Sequence, residues 1–154
     1  MVPKKSWLLQ ATRCVLIFLF VYAAVSKLLD PFSLVATLEV SPLIGSAAHI
    51  FSIGLPITEL AVAALLLLPF TTWYGFWGSL ILMLLFTGYV GYMLLFAPEL
   101  PCSCGGIFRW MNWKEHLFFN IAFTLLSLRG LYQYRSLIRS KQTTPSLLSQ
   151  RIAQ

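Results

Sequence analysis

Apolar positions along the chain gather into four long runs, set apart by short polar or proline-bearing breaks. A helix needs about 20 mostly apolar residues to cross a bilayer, and stretches at about 7–26, 47–68, 73–96 and 113–131 meet that length. Tryptophans and tyrosines such as Trp7, Trp73, Trp113 and Tyr132 stand near the ends of these runs, where amphipathic rings favour the membrane interface. The pattern predicts an all-α fold: an integral membrane bundle of four transmembrane helices. It forms one domain over residues 1–141, with a flexible tail over 142–154 rich in Gln, Thr, Pro and Ser. The first run is longer than a secretory signal core and carries Arg13, so it reads as a retained span. Between the first two runs, Asp30-Pro31 has the form of a helix start, with Asp as N-cap and Pro at the first position. Phe32, Leu34, Val35 and Leu38 follow as an apolar set, and Ser41-Pro42 ends it. This reads as a short helix lying in the outer interface.

Composition removes the main alternatives. Of 154 residues, 58% are hydrophobic and only 10% are charged, with a mean hydropathy of +0.80. Soluble domains carry about 25% charged residues, so a soluble globular fold is excluded, and disorder is excluded for the opposite reason. The net charge of +6 does not mark a nucleic-acid surface, because the basic residues cluster at the ends of apolar runs. Lys4 and Lys5 precede the first run; Arg129, Arg135, Arg139, Lys141 and Arg151 follow the start of the last turn of the fourth. With an even number of spans, the positive-inside rule places both termini in the cytoplasm. Segments 27–46 and 97–112 then face outward.

Ionisable groups inside spans are costly and mark function or helix pairing. Arg13 lies roughly 9 Å and Glu59 roughly 14 Å from the cytoplasmic ends of their spans, at 1.5 Å per residue. These depths predict a buried Arg13–Glu59 ion pair. It either sets helix register or, together with Asn120, shapes a polar cleft for a ligand. His49, Ser52, Pro56 and Glu59 step at helical spacing along one face of the second span. His116, Asn120, Thr124 and Ser127 do so in the fourth. Thr124 and Ser127 read as interhelical hydrogen-bonding groups. His116 and Asn120 sit high, beside the outer segment, and Lys27 at the outer end of span one reaches the same region or simply snorkels.

Three cysteines are present. Cys14 is too deep to meet the other two and reads as a small core residue. Cys102 and Cys104 stand in Pro-Cys-Ser-Cys-Gly-Gly, a tight turn in the second outer segment. A ring closed over one intervening residue is strained, and strained exposed disulfides are the exchangeable ones. It also closes almost no loop, so it adds little stability. Lys27 and His116 nearby would favour thiolate. Two thiolates with His116 and Met111 would also suit Cu(I) or Zn(II), but a clear fourth ligand is missing and no metal site is assigned.

With these residues placed, the chain resembles the MauE/DoxX family of small four-helix bacterial membrane proteins, on the MauE side. The resemblance is carried by Arg13, Ser26-Lys27-Leu28-Leu29-Asp30-Pro31, Leu55-Pro56-Ile57-Thr58-Glu59, Cys102-Ser103-Cys104-Gly105, and Trp113 with Asn120. It implies a redox-associated bundle in the bacterial cytoplasmic membrane, linked on the MauE side to disulfide-containing periplasmic partners and thioredoxin-like proteins. On the DoxX side it implies quinone-linked sulfur oxidation. The expected function is therefore thiol–disulfide exchange by Cys102 and Cys104 with a periplasmic partner. Lys27 and His116 would tune thiol or proton, and Arg13, Glu59 and Asn120 would shape a quinone cleft. A non-enzymatic scaffold or maturation subunit and a metal- or solute-handling protein are the alternatives. Membrane thiol oxidoreductases of the vitamin K epoxide reductase type share the architecture, but they carry a Cys-x-x-Cys and further shuttle cysteines, which this chain lacks.

Overall fold

The computed structural model describes residues 4–41, 44–96 and 112–152. Five α-helices make up the architecture: α1 (Lys4–Leu29), α2 (Pro31–Glu39), α3 (Ala48–Leu67), α4 (Thr72–Phe96) and α5 (Trp113–Ile152). A single 3₁₀ turn at Gly45–Ala47 leads into α3. The fold is all-α, and no strand occurs among the described residues. Three helices are long and apolar enough to cross a membrane: Trp7–Leu29, Gly45–Leu67 and Thr72–Phe96. Large apolar side chains such as Phe18, Ile53, Ile57, Leu85 and Phe118 are exposed around the bundle. A soluble domain does not present apolar surface on this scale, and a bilayer is the solvent that suits it.

The long helices form a closed ring in which α1 packs on α3, α3 on α4, α4 on α5, and α5 returns to α1. Neighbours run antiparallel. Arg13, near the start of α1, meets the last residues of α3, and Lys27, near its end, meets Glu59 further up α3. Thr87 of α4 meets Thr124 of α5, while Trp73 and Phe76 at the other end of α4 meet Tyr134. The main core occupies the end where α3 turns into α4. Leu16, Phe20, Leu66 and Phe76 are each fully buried there. Packing is tight enough to require glycine: a Cβ on Gly75 would lie 2.7 Å from the backbone nitrogen of Leu66.

The short helix expected after Asp30 is present as α2. Asp30 caps it by accepting from the Ser33 backbone N–H at 3.2 Å, with Pro31 at the first position. Its apolar set divides between two faces: Leu34 and Leu38 are buried against Ala48, while Phe32 is almost fully exposed. The fourth expected span begins where α5 begins, at Trp113, but the helix runs on as one element to Ile152, beyond 131 and through the segment expected to be a tail. The residues after Gly130 include good helix formers such as Leu131, Gln133, Arg135 and Leu137, so nothing polar stops the helix when the apolar run stops. Cys14 is exposed on the outward side of α1 and is not a core residue. The inward face of that turn carries Thr12 and Leu16 instead.

Candidate functional site

Two cations on α1 decide how its polar groups are used. Helical side chains tilt toward their own N-terminus. On α1 that tilt carries both Arg13 and Lys27 toward the end where α3 meets α4. The predicted Arg13–Glu59 pair required Arg13 to reach the other way, and it does not form. Arg13 instead donates from Nε to the Leu66 carbonyl and from Nη2 to the Leu67 carbonyl. The last carbonyls of a helix have no intrahelical partner, and a cation suits the negative end of the helix dipole. Every one of the last four in α3 is met: Ala64 by the Leu68 N–H at 3.2 Å, Leu65 by the Thr71 hydroxyl at 2.9 Å, and Leu66 and Leu67 by Arg13.

The same tilt brings Lys27 down to Glu59. Its Nζ lies 2.6 Å from Glu59 Oε1, 3.4 Å from the Ala23 carbonyl one turn back, and 5.6 Å from the Phe86 ring centre. Glu59 is completely buried. Lys27 satisfies Oε1, but Oε2 has no hydrogen-bond partner among the described residues. Pro56 and Ser52 share this buried face of α3, whereas His49, expected on it, is exposed and contributes only its carbonyl, which accepts from the Ser52 hydroxyl. Thr58 does not relieve the carbonyl freed by Pro56; its hydroxyl donates to the Gly54 carbonyl at 2.7 Å.

The ion pair stands in the wall of a partly open cavity of about 360 Å³ lined by residues of α1, α2, α3, α4 and α5. That volume lies at the small end of the roughly 300–1,000 Å³ found for small-molecule sites. Its lining is mostly apolar, with Phe20, Leu38, Phe51, Leu82 and Phe86 among the walls. Ser26, Lys27, Thr37, Glu59, His116 and Asn120 bring polar atoms to it. Asn120 is buried, and its amide nitrogen has no hydrogen-bond partner among the described residues. Lower on α5, Thr124 pairs with Thr87 of α4 at 3.1 Å, as an interhelical group should, while Ser127 bonds within its own helix to the Phe123 carbonyl.

Of the residues expected at the site, Lys27, Glu59, His116 and Asn120 therefore come together on one cavity. Arg13 is at the opposite end of the bundle and is not part of its lining. Cys102 and Cys104 lie outside the described residues. The segment that holds them joins Phe96 of α4 to Asn112, just before α5, at the end of the bundle where Val90, Trp113 and His116 line the cavity. Residues that sequence reasoning did not connect with the site are Tyr89, Trp113 and the α2 pair Leu34 and Leu38, which all face the cavity. The α2 pair was visible as an apolar stripe; its inward face was not. Among the described residues, no group of three or more His, Cys, Asp or Glu comes together to hold a metal.

A family model described as "Methylamine utilisation protein MauE" matches residues 5–133. No curated protein and no solved structure matches the chain.

Proposed function

The chain belongs to the MauE family of membrane proteins, and on that premise we propose a redox function in the bacterial cytoplasmic membrane. In this reading four spans cross the bilayer, α5 supplying the fourth, with both termini in the cytoplasm. Cys102 and Cys104 stand on the periplasmic side. They exchange a disulfide with a Cys-bearing, thioredoxin-like partner, and a quinone occupies the cavity.

The observation that carries the reading is the cavity itself. It is an apolar, membrane-level space with a buried ion pair and an unpartnered amide in its wall. It lies at the end of the bundle to which the Cys-bearing segment is joined. A purely structural bundle would fill such a space with side chains.

The exchange balances without any further reagent. A partner thiolate attacks one sulfur of the Cys102–Cys104 disulfide, that S–S bond breaks, and the other cysteine leaves as thiolate. The partner's second thiolate then attacks the mixed disulfide. The partner departs oxidised, and Cys102 and Cys104 are both reduced, having gained two electrons. The reverse sequence reduces the partner. His116 and Lys27 are the groups assigned to favour thiolate or carry its proton. A quinone, when bound, supplies a two-electron, two-proton acceptor. The cavity fits one: Phe20, Phe51 and Phe86 offer apolar contact for a ring, and Asn120 in its wall has an amide N–H with no partner among the described residues, the donor a carbonyl oxygen needs.

The test is a disulfide trap in membranes. Cys102→Ser and Cys104→Ser, made singly, should leave one variant held in a reductant-sensitive adduct with its partner on a non-reducing gel. The double variant should show none. Normal activity with no adduct from either single variant would overturn the exchange. Membership of the MauE family also suits a second reading, an accessory subunit that docks and matures a periplasmic protein; under it, both single variants keep full function.

A further inference from the structure

Among the described residues, Glu59 Oε2 and Asn120 Nδ2 are buried polar atoms on cavity residues that lack partners, and they are of opposite kinds. Glu59 is fully buried, with Lys27 donating to Oε1 and nothing reaching Oε2. A carboxylate held by an ammonium is an acceptor only, so Oε2 calls for a donor. Asn120 is 4% exposed, and its Nδ2 offers N–H donors that nothing accepts. Buried polar groups in native proteins are nearly always hydrogen-bonded, and leaving one unmet is costly. Here one unmet acceptor and one unmet donor belong to residues in the wall of a single, mostly apolar cavity, a demand that a ligand of matching polarity meets.

The matching polarity is not that of a dione. Carbonyl oxygens only accept, so they answer Asn120 and leave Glu59 unmet. Hydroxyl groups both donate and accept, so a dihydroxy head answers both. We propose that the cavity is built for a hydroxylated aromatic head and binds a quinol more tightly than the corresponding quinone. This inference rests on the quinone part of the proposed function and deepens it. A site that prefers the reduced form raises the midpoint potential of the bound couple, so bound quinone accepts electrons more readily than free quinone. A tenfold preference corresponds to about 30 mV for a two-electron couple.

The experiment is equilibrium binding to the full chain in lipid nanodiscs under anaerobic conditions. The probes are decylubiquinone and menadione, each with its quinol. The expected result is quinol binding about tenfold tighter than quinone, the scale of one hydrogen bond to a charged acceptor. In Glu59→Gln the amide presents a donor where Oε2 stood, and the preference should vanish or reverse. In Asn120→Leu both forms should weaken together, with the quinol preference kept. Because the wild-type ratio alone is decisive, the inference stays testable if Glu59→Gln does not accumulate. Equal binding, or tighter quinone, overturns this inference and leaves the proposed function standing. No binding of any probe overturns it together with the quinone part of that proposal, while the disulfide trap reports separately on the cysteines.

Discussion

The two ends of the bundle are filled differently. At the end where α3 turns into α4, Arg13, Thr71 and the Leu68 N–H meet the last carbonyls of α3, and the Thr72 hydroxyl meets the Leu68 carbonyl at 2.9 Å; Gln133 Oε1, beside Tyr134 at the same end, is the buried atom left without a partner among the described residues there. The space between is packed, with Gly75 against the Leu66 backbone and Phe76 fully buried. At the α2 end the helices part around a cavity, and Glu59 and Asn120 keep open hydrogen-bonding positions. The helices, the solvent and the chain are the same. What differs is the filling: one end is closed by packed side chains, and the other leaves a cavity with Glu59 and Asn120 in its wall.

The contrast is sharpest at Lys27. Removing one partner of a buried ion pair strands the other, at a typical cost of about 3–5 kcal/mol. Lys27→Met should therefore destabilise the protein on that scale in chemical or thermal unfolding in detergent. The double variant Lys27→Met/Glu59→Leu should recover most of the loss, because two apolar side chains leave no charge stranded. A double variant as unstable as the single one would mean that the pair holds the bundle together and is not reserved for a ligand.

Arg13 tests the other end. Arg13→Leu leaves two helix-terminal carbonyls unmet and should cost about 1.5–3 kcal/mol, the range for hydrogen bonds from charged donors. It should leave ligand affinity at the cavity unchanged, since Arg13 is remote from it. A loss of affinity with stability retained would restore Arg13 to the binding site. The smallest effect is expected between the two ends, at Thr87 and Thr124. Thr87→Val removes one interhelical hydrogen bond, worth about 0.6 kcal/mol on average in membrane helices, and should shift the unfolding midpoint only slightly.

Much of the architecture follows from apolar run length. The runs expected at 47–68 and 73–96 correspond to α3 (Ala48–Leu67) and α4 (Thr72–Phe96), and Asp30-Pro31 announced α2. Helix α1 extends past its apolar run at both ends, and α5 goes far past its own, because hydropathy measures fit to lipid, not helicity. The pairing of charges was misjudged for a specific reason. Depth along the membrane normal brought Arg13 and Glu59 together, but it took no account of which way a side chain leans. Once the tilt toward the N-terminus of α1 is included, Arg13 turns away from Glu59 and Lys27 turns toward it. The cavity was not visible either: His116, Asn120 and Glu59 could be placed on helix faces, but a shared cavity depends on how five helices meet.

The guanidinium of Arg13 also has a consequence for biogenesis. A lone arginine at the centre of a helix costs about 2.5–3.5 kcal/mol on insertion scales, and one nearer the end, as Arg13 is, costs less. The Leu66 carbonyl that satisfies it lies 53 residues further along the chain. When α1 first meets the membrane during synthesis, its cation has no protein partner and draws water or headgroups inward. That debt persists until the α3–α4 hairpin has been made. Helix α1 therefore precedes the groups that satisfy its own cation, and the arrival of the hairpin both meets Arg13 and fixes the register of α1.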